Sequence, residues 1–249
     1  MPEQPRRRGR PPKAKPAAPA TVQVLDRALD LLDRIARSGA AGLTLTEIAA
    51  QTGQAASTVH RLLASLGARG MVDTDPATQV WYIGPETYRM GAAFLRRGGL
   101  AERAAPILRR LMQATSETAN LGIRDGDAVL IVAQTETPRP IRALFPPGTR
   151  LPLATSGLGR AIMALDTDAD DMELVATRAR GFALDREEVE PGMRCVAAVV
   201  TDAQGSPIAA ISISGPTHRV GPEHLKTLGA AVTEAARQLS QAMGAAMPD

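Results

Sequence analysis

The chain has 249 residues, a formal net charge of +3, 44% hydrophobic and 22% charged residues, enough apolar material for one or two globular domains without a covalent staple. A single cysteine, Cys195, excludes an intrachain disulfide and a CxxC metal knuckle. The three scattered histidines, His60, His218 and His224, exclude an HExxH site, and no apolar run reaches the roughly 18 residues of a membrane span. Neither metal nor cofactor nor membrane partner is expected. With no apolar h-region behind the basic start, no secretory signal is expected and the expected compartment is the cytoplasm.

The charge is unevenly placed. Arg6, Arg7, Arg8, Arg10, Lys13 and Lys15 against Glu3 alone give residues 1–20 a net +5, which leaves −2 for the remainder. This Pro- and Arg-rich arm has too little apolar surface to order itself and is expected to be disordered, with a polyanion as its partner. Helical periodicity starts at Thr21, a candidate N-cap, and places Val22, Leu25, Leu29, Leu32 and Ala36 on one stripe. Thr44 and Glu47 have capping-box spacing and open a short helix carrying Ile48, which stops at Thr52-Gly53. A third helix is expected from near Gln54, with Val59, Leu62, Leu63 and Leu66 on its core side. Two strands, at 71–73 and 80–83, complete a winged helix-turn-helix over residues 21–84.

On the third helix the outward residues Gln54, Ser57, Thr58, His60 and Arg61 cluster on the first turns, where recognition helices meet base edges. Gln reads adenine, Arg reads guanine or holds phosphate, and hydroxyls suit phosphate. Arg61 is the strongest single candidate. Ser57 also fits a capping role and His60 a plain solvated residue; Thr46, on the second helix, joins the DNA-facing set. In the arm, Arg8-Gly9-Arg10-Pro11 is similar to an AT-hook core, whose narrow ribbon suits the A·T minor groove. A generic basic tail on phosphates is the alternative.

A linker helix over 85–99 ends at Gly98-Gly99. Trp81, Tyr82, Tyr88 and Phe94 concentrate around it, and either join domains or protomers or pack locally. The second domain, 100–249, opens with a helix carrying Ala104, Ile107, Leu108 and Leu111. A hairpin follows at 119–124 and 128–134 around Asp125-Gly126, then a strand at 141–145 and helices at 156–165 and 168–180. A second hairpin, 195–201 and 208–214, and a helix repeating Leu225, Leu228, Val232, Ala235, Leu239 and Ala242 complete an α+β domain with a largely antiparallel sheet. If this second hairpin turns symmetrically about 202–207, Thr201 pairs with Ile208, Ala197 with Ser212 and Cys195 with Ser214. Cys195, Ser212 and Ser214 then share one face. Ser156-Gly157-Leu158-Gly159 opens a helix whose free N–H groups suit a carboxylate; a dinucleotide loop is disfavoured because its third glycine is missing.

In the family's order, LDRAL at 25–29, LTLTEIA at 43–49, STVHRLL at 57–63, PLATSGLGRA at 152–161, RGFALD at 180–185, RCVAAV at 194–199 and ISISGP at 211–216 closely resemble the isocitrate lyase regulator (IclR) family of bacterial transcription factors. The resemblance covers residues 21 to about 246. It implies a winged helix, a dimerising linker helix and an effector domain of GAF-like fold, often in a dimer of dimers. Compared with members sensing small 2-oxo acids such as glyoxylate or pyruvate, it implies an effector site in which Gly157 and Leu158 offer backbone N–H groups. Asp185, Cys195, Ser212 and Ser214 supply polar groups, and Ala143 and Leu151 the apolar wall. Asp185 is expected to accept a hydrogen bond from a hydroxyl, since a carboxylate does not favour a second anion. The chain departs from the family between Ala164 and Asp171, where a longer segment is usual, and this bears on effector size and on the tetramer contact.

The expected function is operator binding modulated by a small carboxylate, glyoxylate or a similar 2-oxo acid. The alternatives are a regulator of aromatic-acid catabolism with a larger effector, and an effector-insensitive architectural DNA binder. An enzyme is disfavoured: there is no GxSxG, no P-loop and no metal cluster.

Overall fold

The computed structural model describes residues 22–166 and 171–245. Thr21, the arm with Arg8 and Arg10, and most of the shortened 165–170 segment lie outside them. The chain divides between Ala92 and Ala93 into two units.

In the first unit, α1 (Gln23–Ser38) precedes β1 (Leu43–Thr44), α2 (Leu45–Thr52), α3 (Ala56–Gly67), β2 (Val72–Thr74) and β3 (Val80–Ile83), and α4 (Pro85–Arg96) begins here. The strands form a sheet in the order β1-β3-β2. β1 went unread in the sequence because two residues carry no periodicity. The core is Leu31, Ile35, Ile48, Val59, Leu63 and Val72. This corrects the expected α1 stripe. Leu31 and Ile35 are buried, with Leu32 beside them, whereas Val22, Leu25 and Leu29 are exposed. The stripe read at 22–36 is genuinely apolar, but its first turns have no partner within this small core. α1 is preceded by Val22 and has no side-chain cap.

The second unit holds α5 (Leu100–Thr115), β4 (Thr118–Asp125), β5 (Ala128–Thr135), β6 (Arg150–Pro152), α6 (Gly157–Asp166), α7 (Met172–Arg180), β7 (Ala183–Arg186), β8 (Met193–Thr201), β9 (Pro207–Pro216) and α8 (Leu225–Ala242). Six strands form an antiparallel sheet in the order β6-β5-β4-β9-β8-β7. α5 and α8 cover one face over a core that includes Leu108, Leu121, Ile211, Ile213, Val232 and Leu239. α6 covers the other, over Val129, Ile131, Leu158, Ile162 and Ala197. Alternation along β9 separates the two faces: Ala209, Ile211 and Ile213 meet α5 and α8, while Ala210, Ser212 and Ser214 point the opposite way.

The strand expected at 141–145 is a loop, and β6 takes the sheet edge instead. Pro138, Pro140, Pro146 and Pro147 bracket it, removing donors and fixing φ where a ladder would need them. The helix expected from 168 begins at Met172, capped by the Asp171 carboxylate, which accepts from the Glu173 and Leu174 N–H groups (2.9 and 3.1 Å).

Candidate functional site

The helix-turn-helix is held by local chemistry. Thr44 caps α2 through the expected box: its hydroxyl accepts the Glu47 N–H at 3.3 Å, and Glu47 accepts the Thr44 N–H at 2.7 Å. Gly53, at φ 65°, makes the left-handed turn between α2 and α3. Val59 and Leu63 anchor α3 to the core, and this turns Ser57, His60 and Arg61 to solvent; Thr58 is half-buried and Thr46 is exposed on α2. Gln54 corrects the reading of the helix start. It lies two residues before α3, and its Oε1 is buried without a hydrogen-bond partner. Arg61 has no carboxylate partner among the described residues, so its charge is available to an outside anion. The wing, by contrast, carries Asp73 and Asp75 and no basic residue from 72 to 83.

In the second unit, strand register assembles a polar floor. Cys195 pairs with Ser214 and Ala197 with Ser212, as expected, while a bulge at Val200/Thr201 pairs Thr201 with Pro207 instead of Ile208. Asp185 pairs with Cys195 across β7 and β8, and Thr118 with Ser214 across β4 and β9. Thr118, Ser214, Cys195 and Asp185 therefore form one row on one face. The next row runs Asn120, Ser212, Ala197 and Ala183.

Gly157 and Leu158, the first residues of α6, close over this floor. Their N–H groups lie in the helix turn that has no intrahelical acceptor, and the Ser156 hydroxyl takes the Gly159 N–H at 3.1 Å. A side chain at Gly157 would press on Cys195 Sγ at 3.0 Å, and one at Gly159 would overlap the Leu153 carbonyl. The glycines are what let the helix start approach the sheet this closely.

The enclosed space is about 10 Å³ and is bounded by Leu151, Gly157, Leu158, Asp185, Cys195, Ser212 and Ser214, all expected, together with Asn120, Phe145, Ser156 and Val189, which were not. Ala143 is buried in the 136–149 loop but does not line this space. About one water fits such a volume. The Ser212 hydroxyl is buried here without a hydrogen-bond partner, an arrangement that normally costs free energy. Gln134 ties the loop down, donating to Asn120 Oδ1 at 2.9 Å and to the Phe145 carbonyl at 3.0 Å.

The electrostatics centre on Asp185. Burial, then a hydrogen bond shared with the Glu188 carboxyl, raises its pKa to about 6. Its Oδ1 accepts the Glu188 and Val189 N–H groups at 2.8 and 3.4 Å. Burial works to raise Glu188 as well, but the bonds to Asp185 and Arg160 hold it near 2. Arg160 Nη1 donates to Glu188 Oε1 at 2.9 Å and to the Leu184 carbonyl at 2.8 Å. Neither Arg160 nor Glu188 was read as a site residue. The signal was faint: Asp185 and Glu188 stand three apart, but Arg160 comes from another element. Burial raises the Cys195 thiol to about 12, so it is a packed neutral group rather than a nucleophile.

Among the described residues, no group of three or more side chains could hold a metal, and no helix is long and apolar enough to cross a membrane.

Comparison with known proteins agrees with both units. The family model "IclR helix-turn-helix domain" matches residues 24–76, and "Bacterial transcriptional regulator IclR C-terminal" matches 92–174 and 167–241. The chain is 51% identical over 246 residues to the HTH-type transcriptional regulator BhcR of Paracoccus denitrificans, covering 89% of this chain and 88% of that protein. It is 32% identical over 263 residues to the HTH-type transcriptional repressor AllR of Klebsiella pneumoniae, covering 96% of each. In fold it is similar to an IclR homolog from Microbacterium hydrocarbonoxydans complexed with 4-hydroxybenzoate, at a TM-score of 0.77 and 17% identity over 88% of this chain and 98% of that one. With a helix-turn-helix unit, an α/β unit and these relatives, the chain belongs to the IclR family and is a DNA-binding transcriptional regulator rather than an enzyme.

Proposed function

We propose that operator binding by this regulator is set by a small carboxylate, glyoxylate or a close 2-oxo acid, held between the start of α6 and the Asp185–Cys195–Ser214 row. The observation that carries the reading is the unpartnered Ser212 hydroxyl, buried in a space that two helix-start N–H groups and small side chains enclose. An oxyanion there gives the Ser212 hydroxyl, whose neighbour is otherwise the weakly hydrogen-bonding Cys195 thiol, a full-strength acceptor. The small volume favours a two- or three-carbon acid, which enters once Phe145 and its loop shift outward. A larger aromatic acid is the second reading, favoured by the 4-hydroxybenzoate bound to the Microbacterium homolog.

Residues 21–84 serve as the DNA-binding domain, 85–99 as linker and 100–249 as effector domain. Thr46, Ser57, Thr58, His60 and Arg61 meet the operator, with Gln54 placed to join them only if it leaves its buried position. Arg8 and Arg10 of the 1–20 arm contact the neighbouring groove. The exposed apolar residues at the start of α1 (Val22 just before it, then Leu25 and Leu29) and on α4 (Tyr88, Met90, Phe94) are the surfaces that a homodimer, and from it a dimer of dimers, would cover. The effector acts only through its different affinity for the DNA-competent and incompetent states.

Calorimetry on the full chain tests the pocket. Glyoxylate or pyruvate should bind, and S214A should weaken binding by about 1–3 kcal/mol. Heat from an aromatic acid, with none from either 2-oxo acid, overturns the small-ligand reading.

A further inference from the structure

A second site is built on the opposite face of the sheet. A surface cleft of about 310 Å³ lies where α5 ends and α8 begins, and none of its lining residues touches the Ser212 cavity. Its charged walls are Glu117, Arg139, Arg219, His218 and His224, with Thr227 from the first turn of α8.

Glu117 is the one carboxylate in that lining, and it is fully engaged. It is 2% exposed; Arg219 Nε donates to its Oε1 at 2.5 Å and Arg219 Nη2 to its Oε2 at 2.9 Å. That pair explains Arg219 as the counter-charge a buried carboxylate requires. It does not explain the other cations. Arg139 comes no nearer than 3.9 Å to Glu117, and its side chain remains 44% exposed. His218 is exposed, and His224 approaches only Glu223, at 3.4 Å, outside the cleft lining. Two guanidinium groups thus face one carboxylate, with two imidazoles beside them. The volume lies at the small end of ligand pockets, about 300–1,000 Å³.

We propose that this cleft binds a small dianionic oxyanion of the phosphate or sulfate class, at a site separate from that of the carboxylate effector. Arginine matches the oxygens of a tetrahedral oxyanion in a way that one surplus point charge does not. Arg219 Nη2 also donates to the Ile141 carbonyl at 2.7 Å. The cleft therefore holds the same 136–149 loop that carries Phe145 to the effector cavity.

The test uses the full-length chain and sulfate, which stays dianionic across the range in which histidine titrates. Sulfate is titrated against chloride at constant ionic strength, and thermal unfolding is followed at pH about 6 and about 8. The expected result is a saturable stabilisation of the wild type at both pH values. R139A/H218A should raise the apparent Kd by about tenfold or more. H224Q, which leaves both arginines in place, should weaken the sulfate response less than R139A/H218A does. R109A, which removes a cation elsewhere on α5, and S214A, in the effector cavity, should leave the sulfate response intact. Glyoxylate binding should show the reverse pattern, weakened in S214A and unchanged in R139A/H218A, so failure at one site is separable from failure at the other. A sulfate response equal in wild type and R139A/H218A, or none in wild type, overturns the proposal.

Discussion

Asp185 is where burial and charge oppose each other most directly. With its pKa near 6 against an ordinary 3.8, it is protonated over much of the mildly acidic range and then donates to an oxyanion instead of repelling it. Anionic effector binding should therefore tighten as pH falls through about 6 and weaken above it. Calorimetry between pH about 5 and about 8 should show that trend in the wild type and a flat profile in D185N. The same group contributes to folding with a fixed sign. Its contribution is fully present below 3.8 and is lost as pH rises through about 6; the contribution of Glu188 is present above 4.5 and is lost as pH falls through about 2. Arg61 is the corresponding residue on the DNA side: exposed, without a carboxylate partner among the described residues, and on the second turn of α3. R61A should cost about 1–3 kcal/mol of specific operator affinity in a gel-shift titration and leave the unfolding temperature unchanged.

At the scale of elements, α6 shows how glycines let a helix start approach a sheet closely. Gly159 sits against the Leu153 carbonyl where any Cβ would overlap it. G159A should destabilise the domain by about 1–3 kcal/mol, the range for overpacking. It should also weaken effector binding, since the helix start must retreat from Cys195; denaturant unfolding and calorimetry together check this. The second hairpin was legible in the sequence from its alternating strands, and Cys195–Ser214 and Ala197–Ser212 pair as a symmetric turn requires, although a bulge replaces the pair expected next to the turn. Asp185 was placed only through family resemblance, for β7 is four residues long and has no periodic signal of its own. The segment at 141–145 misled for the converse reason. Its apolar residues imitate a strand, while the prolines on either side deny it a ladder.

For the molecule as a whole, the acidic wing and the basic arm divide the DNA problem. With Asp73 and Asp75 on the wing and six cations in residues 1–20, in the proposed reading the arm, and not the wing, takes a share of the phosphate contacts. Removing residues 1–20 should lower operator affinity and flatten its salt dependence by about 0.9 in log–log slope per lost phosphate contact. A loss confined to sites flanked by A·T tracts identifies an AT-hook; an equal loss on all flanks identifies a basic tail.

Sequence alone determined the order of helices and hairpins, the helix-turn-helix, the faces of α3 and α5, and the pairing of Cys195 with Ser214. Each depends on residues a few positions apart or on a turn whose chemistry is written locally. Tertiary structure decided the remainder. The row from Thr118 to Asp185 needs β4 to lie beside β9, about 90 residues away in the chain. The Glu117–Arg219 pair spans 102 residues and Arg160–Glu188 spans 28. Charged partners across such separations follow no periodicity. They are selected by which surfaces meet when the sheet closes: Glu117 is buried beside a guanidinium, whereas Asp185, which none reaches, is buried with its pKa raised.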